Sequence, residues 1–307
     1  MTDLATPTVE AEVPSDPASD GEAEISSKKS LGIAGWLSVG WLSALAFIVV
    51  FADFLPFEDP YAELGTPLLA PGQGGFLLGL DANGRDVLAR LVYGGRNSVI
   101  ISVGSISAGF LIGGLLGLLS GYYRNWIGKV LAGLFDILLA IPALVLALAL
   151  VAVLKGDPTS GSGMDPLWIL VLTLAVVSIP LIARITRAST MAWSQRDFVT
   201  AARAQGATDR RILFREILPN VLPAMVYIAL LGIAIAIVAE GSLAILGASV
   251  EPPETTWGTM IVDGKSQMED APFLMFVPII ALFVTVLSLN FLGDAIRDRF
   301  DVRESAL

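Results

Sequence analysis

The sequence predicts an all-α integral membrane protein with six transmembrane helices. Hydrophobic residues make up 54% of the 307 residues and charged residues only 16%, whereas a soluble domain has about 45–50% and about 25%. The apolar residues are concentrated in six long runs, and about 20 such residues are needed to cross roughly 30 Å of hydrocarbon. Because lipid cannot satisfy open backbone hydrogen bonds, each run is expected to be helical.

The six predicted spans follow one another along the chain. They cover residues 31–51, 98–121, 127–154, 167–187, 220–247 and 272–293. Four prolines, Pro142, Pro180, Pro223 and Pro278, lie inside or near the ends of spans. Since proline lacks a backbone N–H, these positions predict kinks or broken helix ends. Such helices suit a bundle that lines a path, although inert bundles contain them as well.

The distribution of Lys and Arg predicts the orientation of the spans. If the N-terminus is inside, fourteen of the 19 Lys and Arg residues fall in inner segments. Cytoplasmic segments of membrane proteins carry such an excess. The sequence therefore predicts cytoplasmic N- and C-termini and a cytoplasmic loop at residues 188–219.

Residues 1–30 are predicted to be a disordered acidic cytoplasmic tail. The first 24 residues contain seven acids, no Lys or Arg and almost no large apolar residue. Such a segment cannot bury enough surface to offset the entropy of the chain. It also lacks the positive start and short apolar core of a secretory signal.

Residues 52–97 are predicted to be an extracytoplasmic segment that contains a short amphipathic helix. Asn83-Gly84 is typical of a turn. Val87, Leu91 and their apolar neighbours then recur at helical spacing, with charged residues elsewhere on the helical wheel. We expect this helix to lie on the outer surface before the chain enters the second span.

Several kinds of site are excluded by the sequence. It has no His and no Cys, which removes imidazole catalysis, thiol chemistry and Cys/His zinc sites. The pattern that begins at Asp81 places Val92 where a calcium loop requires a carboxylate. Gly264-Lys265-Ser266 lacks the earlier glycine of a phosphate-binding loop, since that position is Thr259. We therefore expect no catalytic residue, no metal site and no cofactor in this chain.

A glycine repeat in the second span predicts close helix packing. Gly109, Gly113, Gly117 and Gly121 recur every four residues. Small residues at this spacing let two helix backbones approach closely, so the repeat favours a packing seam. The alternative is that glycine is simply frequent in membrane helices.

Two carboxylates and one proline are candidates for lining a path or for a structural role. Asp136 and Glu240 lie within predicted spans, and Pro142 interrupts the third. A carboxylate in a span is costly and is therefore a functional candidate. One interpretation is an ion or proton relay, and the other is a structural partner or a wall of a watery cavity. No Lys, Arg or His lies deep in a span to complete a relay, which favours the second interpretation.

The polar stretch at residues 197–219, here called the knob, separates two long apolar runs. Residues 198–205 favour a helix, and Gly206 can end it in the left-handed conformation. Thr208 or Asp209 can cap a second short helix through Ile217. One interpretation of its arginines is binding to anionic lipid headgroups. That interpretation does not explain the alanines, Gly206 and Pro219.

The knob resembles the coupling motif of ABC-importer permeases. The matching residues are Thr200-Ala201-Ala202, Gly206 and Leu218-Pro219, with Thr200 where the motif has glutamate. Four further segments are similar to the second permease subunit of dipeptide/oligopeptide importers, a type that also includes nickel permeases. These segments are LGLDANGRDVLARLVYGGRNS, GYYRNWIGKVLAGLFDILLAIPALVLAL, AEGSLAILGASVEPPETTWGTMI and LNFLGDAIRDRFDVR. The similarity covers residues 76–303.

The resemblance implies the ABC type I importer permease fold and a division of labour between subunits. This chain would form half of a translocation path with a homologous permease subunit. Two cytosolic ATPase subunits would bind ATP and Mg²⁺, and an extracytoplasmic binding protein would deliver dipeptides or oligopeptides. The implied ATPase-coupling residues are Thr200, Ala201, Ala202, Arg203, Gly206, Asp209, Arg210, Arg211, Leu218 and Pro219.

The resemblance also implies the inner or plasma membrane of a bacterial or archaeal cell, contact with lipid and no nucleic-acid partner. Nickel complexes and glutathione are alternative solutes. An ion-coupled secondary transporter is the rival class, but it requires intramembrane ion sites and two similar halves. The sequence displays neither feature.

Overall fold

The computed structural model describes residues 32–156 and 164–304, with side chains described as far as Arg299. The predicted tail at residues 1–30 lies outside these ranges. Every regular element within them is helical, apart from one β-bridge between Leu80 and Asp86. The helices are α1 Ile33–Phe51, α2 Val87–Tyr122, α3 Trp126–Ala140, α4 Ala143–Lys155, α5 Pro166–Trp193, α6 Asp197–Ala204, α7 Asp209–Arg211, α8 Leu218–Ile245, α9 Trp257–Lys265 and α10 Phe273–Glu304.

The described helices confirm an all-α bundle with five or six candidate membrane crossings. α1, α2, α5, α8 and α10 are each long and apolar enough to span a membrane. α3 and α4 pass the same test only as a pair, which bends by 92° at a short break and makes a sixth crossing if the pair counts as one span. The bend falls at Ile141 and Pro142, where proline cannot donate the hydrogen bond that would continue the helix. The third predicted span is therefore two helices.

The prediction of a separate amphipathic helix before the second span is wrong. Val87–Tyr122 is one helix of 36 residues, and the Asp86 carboxylate caps it by accepting from the N–H groups of Leu88 and Ala89. Gly94 and Gly95 do not end the helix. They leave room for α9, because a Cβ on Gly95 would lie 2.7 Å from the Trp257 ring.

α2 and α5 pack closely along the glycine repeat. A Cβ on Gly113 would lie 2.6 Å from the carbonyl oxygen of Ile179, and one on Gly121 would lie 2.7 Å from that of Arg187. Added Cβ atoms on Gly109 and Gly117 would likewise collide with α5. All four glycines of the repeat thus face α5, which is the close backbone approach typical of small residues four apart.

Two apolar clusters lie near the two ends of α2. Leu118 and Tyr122 pack with Val199, Ile212 and other side chains of the knob. The second cluster joins Val87 to residues of α1, α9 and α10. We call the end of the bundle that holds the first cluster the knob end, and the end that holds the second cluster the opposite end.

Candidate coupling site

The knob begins with a short helix that ends at a glycine. Gly206 follows α6 with a φ of +80°. The N–H of Gly206 donates to the carbonyl of Arg203 at 2.9 Å, and the N–H of Ala207 donates to that of Ala202 at 3.0 Å. This pair of bonds is the Schellman arrangement, which satisfies free carbonyls at a helix C-terminus. The predicted helix end at Gly206 is confirmed.

The second half of the knob is continuous with a membrane span. Thr208 Oγ1 accepts from the N–H of Arg211 at 3.4 Å, so Thr208 rather than Asp209 is the N-cap. α7 leads through a π-helical turn, Ile212–Ile217, into α8. The prediction that this helix stops at Ile217 is wrong. Pro219 lies in the first turn of α8, where a missing N–H is tolerated.

Apolar side chains fasten both halves of the knob to the bundle. Val199 on α6 and Ile212, Leu213 and Ile217 in the second half are almost completely buried. They pack against Leu118 and other apolar side chains of α2 and α8. The knob is therefore part of the packed fold.

Most of the predicted coupling residues lie on the exposed surface of the knob. The exposed ones are Thr200, Ala201, Arg203, Gly206, Asp209, Arg210, Arg211 and Pro219, while Ala202 and Leu218 are partly buried. Small side chains around Thr200 thus lie beside a cluster of guanidinium groups. Such a surface can accept a close-fitting partner that presents carboxylates.

Two aromatic residues on the knob were missed by the sequence analysis. Phe198 on α6 is 37% exposed and Phe214 in the π-helical turn is 43% exposed. The ring of Trp193 lies 6.1 Å from that of Phe198. Aromatic side chains are enriched at protein interfaces. Two phenylalanines in a segment rich in arginine and alanine were the signal that would have identified them.

One side chain of α2 joins both halves of the knob. The Tyr122 hydroxyl donates to Asp209 Oδ1 at 2.6 Å and accepts from Arg203 Nη2 at 3.3 Å. The Arg203 guanidinium also lies 5.5 Å from the centre of the Tyr122 ring, within cation–π range. The sequence analysis did not single out Tyr122, because its partners lie more than 80 residues further along the chain.

Glu240 lies far from the knob and has structural partners. Its side chain is fully buried, and Oε1 accepts from Ser249 Oγ and from Thr256 Oγ1, each at 2.7 Å. Thr256 is the N-cap of α9. The carboxylate therefore holds the loop after α8 and the start of α9, which agrees with the structural interpretation. The helix that it supports is α9.

A charged cluster joins α2 to α9 at the opposite end of the bundle. Arg90 is 5% exposed and donates to Asp81, to Thr255 Oγ1 at 3.3 Å and to Asp263 Oδ2 at 3.3 Å. Burial would raise the pKa of the Asp81 carboxyl, but the N–H of Arg85 and the Arg90 guanidinium outweigh burial and hold that pKa below its usual value.

The remaining predicted site residues are not brought together. Asp136 and Pro142 are exposed, on α3 and at the α3–α4 bend. An apolar cavity of about 600 Å³ begins beside Pro142, at Ala143, and is lined by residues of α4, α5, α8 and α10. Ser242 and Asn290 supply the polar side chains of its described lining, which contains neither Asp136 nor Glu240.

Residues 113–305 match the model of the family described as "Binding-protein-dependent transport system inner membrane component". The chain belongs to this family of ABC-importer permeases. The matched region includes the whole knob.

Relatives and solved structures agree with this assignment. The chain is 38% identical to the "Di/tripeptide transport system permease protein DppC" of Pseudomonas aeruginosa over 84% of each chain. It is 36% identical to the "Glutathione transport system permease protein GsiD" of Pectobacterium atrosepticum over 89% of this chain and 87% of that protein. Its fold is similar to a chain of the inward-facing MetNI methionine ABC transporter, with a TM-score of 0.58, 21% identity, and coverage of 69% of this chain and 97% of that chain.

Proposed function

We propose that this chain forms half of the translocation path of an ATP-driven importer for dipeptides or oligopeptides. The knob is the observation that carries the proposal. It presents an exposed surface of small and basic residues, and it is continuous with a membrane span. A partner that pushes on the knob would therefore move α8 directly.

Short peptides are the substrate class that the relatives support. The relatives include permeases named for dipeptides, for di- and tripeptides and for glutathione, which is itself a tripeptide. The apolar cavity has few polar groups with which to select a solute. This composition suits a conduit that leaves recognition to an extracytoplasmic binding protein.

The remaining subunits supply what this chain lacks. Two cytosolic ATPase subunits bind ATP and Mg²⁺ and engage the residues around Thr200 and Gly206. A homologous permease subunit covers the exposed apolar side chains of the bent α3–α4 pair, among them Ile137 and Val145. The knob and both termini then lie in the cytoplasm, as the excess of Lys and Arg predicts.

The hydrogen bonds of Glu240 support this proposal over an ion-coupled carrier. A coupling carboxylate must exchange its ion during transport. Glu240 is instead buried against two hydroxyl groups and the start of α9. It therefore serves packing at the end of the bundle that faces away from the ATPases.

The substitution Gly206→Asp tests the role of the knob. It places a strained, negatively charged residue in the middle of the proposed ATPase contact, because Gly206 has a positive φ. We expect peptide uptake to fall at least tenfold in the reconstituted complex, with the chain still inserted. Gly72→Asp is the matched control, because Gly72 has the same φ of +80° and is equally free of neighbours within 4 Å, but lies in the segment between α1 and α2. Normal uptake and ATPase co-purification with Gly206→Asp would refute the proposed contact.

A further inference from the structure

We propose that Tyr122 is a positioning residue that couples the knob to α2, so that movement of the knob is transmitted to α2 and α5. This inference rests on the proposed function, and it assigns the transmission to one side chain. The observation behind it is that one hydroxyl group connects three helices, α2, α6 and α7.

The Tyr122 hydroxyl is suited to this role because it donates and accepts at once. It donates to a carboxylate that begins α7, at 2.6 Å, and accepts from a guanidinium on α6, at 3.3 Å. Hydrogen bonds to charged groups are stronger than those between neutral groups. Tyr122 itself is 8% exposed, while Arg203 and Asp209 are exposed. The two charged side chains thus reach inward from the surface of the knob to a buried anchor.

α2 can carry a displacement because it is one uninterrupted helix. Its 36 residues correspond to about 54 Å at 1.5 Å per residue. At Gly113, Gly117 and Gly121 its backbone lies directly against the backbone of α5, which leaves little room there to absorb a shift. Closely packed elements of this kind move as units.

At the opposite end of the bundle, α2 also makes polar contacts with neighbouring segments. Arg90 connects the first turn of α2 to Asp81, Thr255 and Asp263, and hence to α9. Trp257 of α9 also lies against Gly95 and donates from its indole to the carbonyl of Leu91 at 2.9 Å. A displacement that enters at Tyr122 therefore reaches the segments that close the opposite end of the bundle.

The test is uptake per ATP hydrolysed in proteoliposomes that contain the whole importer. Tyr122→Phe keeps the ring and removes only the hydroxyl. We expect it to lower uptake per ATP about tenfold, which is the scale of one hydrogen bond to a charged group. ATPase co-purification should stay within twofold of the unsubstituted complex. Tyr123→Phe is the matched control, because the Tyr123 hydroxyl has no hydrogen-bond partner in the described part of the chain.

A double-substitution cycle separates positioning from simple stability. Asp209→Ala removes the acceptor of the Tyr122 hydroxyl at an exposed position and should reproduce the defect without unfolding the chain. If Tyr122 acts through Asp209, adding Asp209→Ala to Tyr122→Phe should lower uptake per ATP by less than twofold more. Full additivity of the two defects, or normal uptake with either substitution, overturns the inference. Absence of ATP-driven peptide uptake by the unsubstituted importer overturns the proposed function instead.

Discussion

Replacement of Gly113 by alanine adds one methyl group at the α2–α5 contact. The new Cβ would lie 2.6 Å from the carbonyl oxygen of Ile179, whereas an ordinary contact is at least 3.4 Å. The shortfall is therefore about 0.8 Å. Its neighbour is backbone, which cannot rotate away as a side chain can. The two helices must separate, or α2 must shift along α5.

The size of the effect follows from comparison with Gly133→Ala. No atom lies within 4 Å of a Cβ on Gly133, in α3. Both substitutions gain about 1 kcal/mol from the higher helix propensity of alanine. Only Gly113→Ala incurs overpacking, which costs about 1–3 kcal/mol. The difference between the two variants should therefore be about 1–3 kcal/mol in the free energy of unfolding.

Thermal unfolding of the purified chain in detergent measures this difference. Gly113→Ala should unfold at a lower temperature than Gly133→Ala. Gly114→Ala provides a second control on α2 itself, because its Cβ would meet only the end of the flexible Met225 side chain. It should unfold close to Gly133→Ala. Equal stability of Gly113→Ala and Gly133→Ala would show that the α2–α5 contact is not tight, and the reasoning for a rigid pair would fail.

Three further predictions concern other parts of the chain. Glu240→Ala removes the acceptor of two buried hydroxyl groups and should lower the free energy of unfolding by about 2–5 kcal/mol. Glu240→Gln keeps an oxygen acceptor and should lower it by less. Equal losses of the two variants on unfolding in detergent would contradict this explanation. Phe214→Ala should weaken ATPase binding about tenfold in a pull-down without changing thermal stability, since Phe214 is exposed; unchanged binding would exclude it from the contact. Asp81 should stabilise the segment before α2 at pH values above 3.8, and its contribution should vanish as pH falls through its lower folded pKa. Protease protection of this segment should therefore differ between the unsubstituted chain and Asp81→Asn at pH 6, and the difference should shrink below pH 4; a difference independent of pH would contradict the ion-pair explanation.

Local sequence signals were sufficient for much of the knob. Gly206 ends α6 because only glycine adopts the left-handed conformation without strain, and this rule needs no knowledge of distant residues. The cap at Thr208 is equally local. The five long spans followed from hydropathy, because the bilayer imposes its own length on each helix.

Long-range packing accounts for what the sequence analysis got wrong or missed. The sequence analysis began the second span at residue 98, but α2 begins at Val87 and stays helical through Gly95, where the indole of Trp257 packs closely. The hydrogen-bond partners of Glu240 lie in the loop after α8 and at the start of α9. The helical pattern of the span therefore could not predict them. Tyr122 likewise meets Asp209 only because α2 and the knob pack together.

Reconstituted uptake measures the function of the chain most directly. The chain, its homologous permease subunit, the ATPase subunits and the binding protein are placed in proteoliposomes with a labelled dipeptide outside. We predict uptake that requires ATP in the compartment of the ATPases, continues when the proton gradient is collapsed, and is lost with Gly206→Asp but kept with Gly72→Asp. Uptake that follows a proton gradient and proceeds without the ATPase subunits would contradict the assignment of this chain as the permease of an ATP-driven importer.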